Sequence, residues 1–167
     1  DPDVLKGKAG SFFAVKDSFD VCPDYALDPQ HRMAEFEALV DRIHDAGLKV
    51  IIDFVPNHVA RTYDSDVRPD LNFGATDNKN VFFSPQNNFF YLVEPAGQVL
   101  SLPELEHWPR PEGADGTLDS ENNDGVPPGD VPKATGNNQT SPELSEYDWY
   151  ETIKLNYGYD FTTGESS

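Results

Sequence analysis

Three polar side chains lie close together at the end of an apolar run: Asp53, Asn57 and His58. A carboxylate, an amide and an imidazole can hydrogen-bond a polar ligand, and carboxylate and amide oxygens can also bind a hard cation. The same residue types suit an ordinary turn after a strand, in which Asp and Asn bond nearby backbone groups. Residue type and spacing alone leave both interpretations open.

A buried strand is predicted immediately before these polar residues. Residues 48–55 read Leu-Lys-Val-Ile-Ile-Asp-Phe-Val, a mostly apolar run that is typical of a parallel strand covered on both faces. Pro56 ends ladder pairing, so Asn57 and His58 follow the C-terminal end of the strand. Active sites of parallel barrels are built at that end, and position therefore favours a functional role.

An amphipathic helix is predicted over residues 30–47, just before the strand. Its apolar residues recur at the i, i+3, i+4, i+7 spacing of one helix face. Asp28 can cap this helix or the turn before it, Pro29 suits a first helical position, and Gly47 suits a left-handed C-cap. Helix, glycine turn and strand make half of a βαβ unit. The apolar stripe consists of Met33, Phe36, Leu39, Val40, Ile43 and Ala46.

Beyond Pro56 the regular pattern gives way to aromatic residues, Asn, Asp, Gly and Pro, with short candidate strands at 89–93 and 98–102. Long loops without structure of their own are uncommon in compact domains. The stretch is therefore either a small irregular subdomain or a disordered linker. Its many aromatic residues favour the subdomain, except at 109–132, where apolar residues are few.

The charge balance excludes some partners. Acidic residues outnumber basic ones by 30 to 12, which gives a formal net charge of −18. Such a charge repels phosphate backbones and anionic membrane surfaces, and no apolar run approaches the roughly 20 residues of a membrane span. We therefore expect neither nucleic acid nor a membrane as a partner.

Three segments resemble the α-amylase family of glycoside hydrolases. The run 47–58 resembles its first conserved region, in which an Asp and three mostly apolar residues precede Asn-His. Residues 10–17, Gly-Ser-Phe-Phe-Ala-Val-Lys-Asp, resemble the family's loop after the second barrel strand, and 154–161 is similar to the approach to the fourth strand. Two motifs in this order, separated by the expected helix, are more specific than either one.

The resemblance implies an α/β fold, a partial (β/α)8 TIM barrel around strands 2 and 3 with an inserted irregular second domain. Residues 1–60 would belong to the catalytic barrel and include strand 3, 61–150 would form the inserted domain, and 151–167 would return towards strand 4. A complete barrel needs roughly 250 residues. We therefore expect an internal fragment of a longer extracellular or periplasmic enzyme, which needs the rest of its own polypeptide to complete the barrel.

The activity implied is retaining hydrolysis of a starch-like α-glucan, with α-1,4-linked glucose, by two carboxyl groups. In the family these groups follow the fourth and fifth strands, so we expect no catalytic residue in this chain. By resemblance His58, Phe13 and Asp17 would contact the sugar. Asp53 would orient a family arginine outside this chain, and Asn57 would ligate a structural calcium ion. Phe13 stands where a tyrosine is common in the family. Phenylalanine keeps the apolar ring of tyrosine but lacks its hydroxyl.

Other functions remain open from the sequence. The chain could belong to a family transglycosylase, or be a noncatalytic calcium- or sugar-binding module derived from the family. An unrelated metal-dependent hydrolase using Asp53 and His58 would need a second histidine at ligand spacing, which the sequence lacks. Further candidate calcium ligands are Asp70, Asp77, Asn78, Asn87 and Asn88, and candidate sugar-stacking residues, for which core packing is the alternative, are Trp108, Trp149 and Tyr150.

Overall fold

The structure is a computed structural model that describes residues 11–93, 99–104, 112–118, 130–137, 141–160 and 163–166. These ranges contain the helix α1 (Arg32–Asp45) and short 3-10 turns at Pro23–Tyr25, Pro29–His31 and Pro69–Leu71. The strands are β1 (His58–Ala60), β2 (Leu100–Ser101), β3 (Thr117–Leu118), β4 (Thr152–Lys154), β5 (Tyr159–Asp160) and β6 (Glu165–Ser166). No helix in the described ranges is long and apolar enough to cross a bilayer.

The sequence signals that predict the start and the end of the helix are confirmed at both ends of α1. The Asp28 side chain accepts a hydrogen bond from the Gln30 N–H and caps the 3-10 turn that leads into the helix. Gly47 has a φ of 76°, and the N–H groups of residues 47 and 48 return to carbonyls at 44 and 43, 2.8 and 3.1 Å away. This is a Schellman motif, which needs a left-handed residue where glycine stands.

The strand predicted over 48–55 is not formed in the structure. Residues 48–56 have neither helix nor strand conformation, and Ile51 and Phe54 are 95 % and 75 % exposed. A buried parallel strand exists only between neighbouring strands, and no described residue pairs with this segment. The apolar stripe of α1 is uncovered for the same reason, with no fully buried residue. The barrel itself stays a prediction.

The ladder nearest the polar residues joins β1 to β4. The two strands are antiparallel, with His58 opposite Lys154 and Ala60 opposite Thr152. A second pair joins β2 to β3, and a third joins β5 to β6. Of the predicted strands at 89–93 and 98–102, the second is partly formed as β2, while the first makes isolated bridges at Phe89 and Tyr91.

Two apolar clusters hold the aromatic-rich part together. Successive side chains of an extended segment point to opposite sides, and Tyr91 and Leu92 accordingly enter different clusters. The described part of the aromatic stretch is therefore packed, as its composition indicated. One cluster contains Val59, Phe89, Tyr91, Ile153 and Leu155. The other contains Leu92, Leu100, Leu102, Leu118, Leu144 and Tyr150.

A buried ion cluster lies beside Tyr91. The Asp130 carboxylate contacts the Lys133 Nζ at 2.8 Å and the Lys79 Nζ at 2.7 Å. Burial raises the pKa of Asp130, but the hydrogen bonds from the two lysines outweigh it, and the pKa is lowered. The Lys133 Nζ also lies 5.6 Å from the centre of the Tyr91 ring. The ionised pair thus ties residues 130–133 to the aromatic core.

Candidate functional site

His58 begins β1 and is held through both of its ring nitrogens. Its Nε2 lies 3.0 Å from the Phe13 carbonyl oxygen, and its Nδ1 lies 2.7 Å from the Asn57 side chain. The residue is only 4 % exposed. The imidazole therefore joins the two motifs singled out in the sequence, 10–17 and 47–58, at one point.

Burial fixes the protonation of this imidazole. Loss of solvent lowers the pKa of His58, the hydrogen bond to the Phe13 carbonyl opposes this, and the charge of Lys154 lowers the pKa further. A neutral imidazole has one N–H, which must be on Nε2 because a carbonyl can only accept. Nδ1 is then an acceptor, and the atom 2.7 Å from it is the Asn57 Oδ1, so a hydrogen bond there requires the Asn57 amide oxygen and nitrogen to exchange places. In that orientation the Asn57 amide oxygen points away from His58.

The loop 11–17 is fastened to the β1–β4 pair by its backbone. The Ser11 N–H donates to the Glu151 carboxylate. The Val15 carbonyl accepts from the Ala60 N–H at 2.8 Å. These contacts place Phe13 beside His58 with its side chain 57 % exposed.

Two residues predicted for this site take no part in its hydrogen bonds. Asp17 is half-buried, and its carboxylate accepts from the Phe19 N–H at 2.8 Å, within its own loop. Asp53 is exposed and makes no hydrogen bond or ion pair with any residue of the described ranges. The structure therefore brings Phe13, Asn57 and His58 together and leaves Asp17 and Asp53 outside this contact.

Gly136 lies against His58 and was missed in the sequence. A Cβ atom at this position would lie 3.2 Å from the His58 Cβ and 3.0 Å from the Trp149 Cε3, and it would overlap the Thr152 Oγ1. Only glycine permits such a close approach of backbone to side chains. The segment 133–138 gives no local signal for this, because the need arises from residues far away in the chain.

Trp149 covers another side of the imidazole. The two ring centroids are 5.1 Å apart at an interplanar angle of 62°, and Trp149 is 44 % exposed. Of the other two candidate stacking residues, Tyr150 is buried in an apolar cluster with its hydroxyl bonded to the Ser145 carbonyl. Trp108 lies outside the described residues. We call His58, Phe13, Asn57, Gly136 and Trp149 the His58 cluster.

The candidate calcium ligands after His58 act as acceptors within their own loops. The Asp77 carboxylate accepts from two backbone N–H groups and from the Tyr91 hydroxyl at 2.8 to 3.1 Å. The side-chain oxygens of Asn87 and Asn88 accept backbone N–H groups at 2.8 and 2.9 Å. Asp70 pairs with Arg68 on the surface. Among the described residues, no three His, Cys, Asp or Glu side chains form a metal-binding group.

Comparison with curated proteins finds partial similarities. Over 95 residues, 55 % of the chain, it is 30 % identical to the glycogen debranching enzyme of Klebsiella pneumoniae subsp. pneumoniae, and the match covers 14 % of that protein. Over 78 residues, 46 % of the chain, it is 30 % identical to the alpha-glucosidase of Culex pipiens, covering 12 % of it. These similarities support the α-amylase family.

A third similarity concerns a protein of the α-amylase family that is not named as an enzyme. Over 48 residues, 29 % of the chain, it is 46 % identical to the amino acid transporter heavy chain of Mus musculus, and the match covers 6 % of that protein. No family model and no solved structure matches the chain. The matches span only a small part of the length of these relatives.

Proposed function

We propose that this chain forms one wall of the substrate cleft in a retaining glycoside hydrolase of the α-amylase family. The substrate would be a polymer of α-1,4-linked glucose. The observation that carries the proposal is the His58 cluster, in which the 10–17 and 47–58 motifs meet through one buried imidazole. An ordinary turn would not need a histidine held from both ring nitrogens.

The cluster offers groups of the kinds that a sugar requires. Aromatic rings pack on flat apolar surfaces such as the face of a glucose ring. Phe13, whose carbonyl contacts His58, and Trp149, whose ring lies against the imidazole, both leave about half of their surface open. In the present geometry a sugar hydroxyl reaches the His58 Nε2 only by replacing the Phe13 carbonyl. We therefore assign His58 first to positioning the Phe13 loop and second to direct sugar contact.

The bond-breaking groups are expected elsewhere in the polypeptide. Retaining hydrolysis needs a carboxylate that attacks the anomeric carbon and a second carboxyl group, about 5–5.5 Å away, that protonates the leaving oxygen. We assign neither role to this chain. Its own residues would bind and orient the glucan, and Asp53, exposed at the approach to the cluster, would orient a cationic side chain supplied by the rest of the protein.

Calcium enters the proposal through Asn57 alone. The residue is exposed, and its amide oxygen points away from the ring when the amide N–H₂ group donates to the His58 Nδ1. Calcium takes six to eight oxygen ligands, and the described residues near Asn57 do not supply such a set. Most of the ligands of a structural calcium ion would come from other parts of the protein.

The test is the release of reducing sugar from soluble starch by the full-length protein, with and without a calcium chelator. We expect hydrolysis, and we expect the His58→Gln variant to lose about 10- to 100-fold in kcat/KM because the sugar-facing loop is displaced. His44→Gln is the matched control, since His44 is exposed on α1. Hydrolysis that fades on chelation supports the calcium role of Asn57, and hydrolysis indifferent to chelation removes it.

A noncatalytic role, in sugar binding, is the second candidate, because the chain is also similar to a protein whose name describes a transporter heavy chain and not an enzyme. A folded full-length protein that hydrolyses no α-glucan but binds maltoheptaose would replace the first proposal by this one. A protein that converts maltotetraose into longer chains would instead be a transglycosylase of the same family.

A further inference from the structure

We infer that Trp149 is the stacking platform for one glucose unit of the glucan and that Gly136 positions its ring. The inference rests on the proposed function and names a specificity residue in the same site. Tryptophan is the largest apolar side chain, and here 44 % of it is left open to solvent. Its neighbour Tyr150 is almost fully buried in an apolar cluster. The segment thus sends one aromatic ring into the core and holds the next beside His58.

The Trp149 backbone is held in place before any ligand binds. Its N–H donates to the Asn137 side-chain oxygen at 2.9 Å, and the Asn137 amide donates in turn to the Tyr147 carbonyl at 2.9 Å. The Trp149 carbonyl accepts from the Thr152 hydroxyl at 2.9 Å. A ring on an ordered backbone loses little freedom on binding, which favours affinity.

The ring itself is positioned by His58 and by its close approach to the Gly136 backbone. The imidazole lies 5.1 Å from the indole, which leaves the remainder of the indole surface for a ligand. A side chain at position 136 would press on Trp149, His58 and Thr152 together. Because the Thr152 hydroxyl holds the Trp149 carbonyl, a shift of any of the three moves the platform.

Kinetics of the full-length protein on maltoheptaose test the inference. We expect Trp149→Ala to raise KM about 5- to 10-fold, the amount that loss of one aromatic contact gives, with kcat within about twofold. Trp149→Phe keeps an aromatic ring, so its KM should rise by less than about threefold. Tyr25→Ala, which removes an exposed ring in the turn Pro23–Tyr25, should leave both constants unchanged.

Gly136→Ala tests the positioning role. It should raise KM in the wild-type protein and raise it by a smaller factor in the Trp149→Ala background, because part of its effect acts through the same ring. If Gly136→Ala yields no folded protein, the two Trp149 variants decide alone. An unchanged KM in an active Trp149→Ala protein, or a fall in kcat alone, overturns the stacking role and leaves the proposed function standing. A parent protein that neither hydrolyses nor binds maltoheptaose overturns both.

Discussion

The His58 ring carries one N–H proton, because burial disfavours the charged, doubly protonated ring. Both ring nitrogens are within hydrogen-bond distance of a partner, yet a neutral imidazole donates only once. The Nε2–H group must donate its hydrogen bond to the Phe13 carbonyl, and the Asn57 amide N–H₂ group must donate to Nδ1. A protonated ring would donate from both nitrogens, to the Phe13 carbonyl and to the Asn57 Oδ1, and would place a charge where solvent has been excluded.

Stability of the site should therefore fall on mild acidification. Because burial lowers the pKa of His58, the unfolded chain binds more protons than the folded one just below the ordinary histidine pKa of about 6.5. The stabilisation is complete above that pH and is lost as the pH falls through the lower, folded value. We expect the urea midpoint of the full-length protein to drop between pH 7.5 and 5.5, and to drop less in His58→Gln.

His44→Gln provides the comparison for this measurement. This variant should keep the wild-type loss between the two pH values. An equal loss in all three proteins would mean that His58 does not titrate differently in the folded and unfolded states.

Sequence reasoning reached Phe13, Asn57 and His58, because each lies in a short motif that resembles the α-amylase family. It could not reach Gly136, whose special role comes from side chains at 58, 149 and 152. In the sequence, Trp149 was one of several aromatic residues that could stack on a sugar, and nothing distinguished it from its neighbour Tyr150. Only the contact with His58 and the exposed surface separate the two.

Among the elements, the helix was predictable and the strand before the site was not. The signals of α1 are local, since Asp28 and Gly47 act on backbone groups within a few residues. A strand needs a partner, and residues 48–55 have none among the described residues, whatever their own preference for extended structure. The ladder at the site instead begins at His58, where β4 supplies a partner.

The segment 130–133 should be the most sensitive to loss of a single charge. Asp130→Asn leaves Lys133, almost fully buried, without a counter-charge, and breaking such a pair costs about 3–5 kcal/mol. Urea unfolding of the full-length protein measures the free energy of unfolding. Lys133→Met in the Asp130→Asn background should recover part of the loss. Asp70→Asn, in an exposed pair with Arg68, should lower the free energy of unfolding far less, because solvent screens an exposed pair. Equal losses at both sites would refute the cluster's role.

At the scale of the whole molecule, α1 and residues 48–54 expose several large apolar side chains within the described part of the chain. Leu39, Leu48, Ile51 and Phe54 are all exposed, and contiguous apolar surface of this kind marks a site that other structure covers. The partial (β/α)8 barrel that we propose would use this surface for its neighbouring strands and helices. The antiparallel pairs around β1 and β4, by contrast, have apolar clusters of their own.

The purified 167-residue chain should therefore be inactive on starch and only marginally stable. Its apolar stripe lacks the strands and helices that we expect to cover it, and we expect its catalytic carboxyl groups elsewhere in the polypeptide. Reducing-sugar release against a matched blank, together with urea unfolding, measures both properties. Glucan hydrolysis by this chain alone would contradict the assignment of the reacting groups to the rest of the protein.

The pairing of β1 with β4 also sets the order in which the site can be assembled. Ser11 contacts Glu151 across a separation of 140 residues. The contacts of His58 with Trp149 and with β4 likewise join residues far apart in the chain. Contacts so distant along a chain form late, because the loop between them must close first. During synthesis on the ribosome, the 10–17 and 47–58 motifs emerge first. They cannot form their long-range contacts until Trp149 and β4 have also emerged. Substitutions between 61 and 148 that slow this closure would lower the yield of folded protein while leaving the affinity of each finished molecule intact.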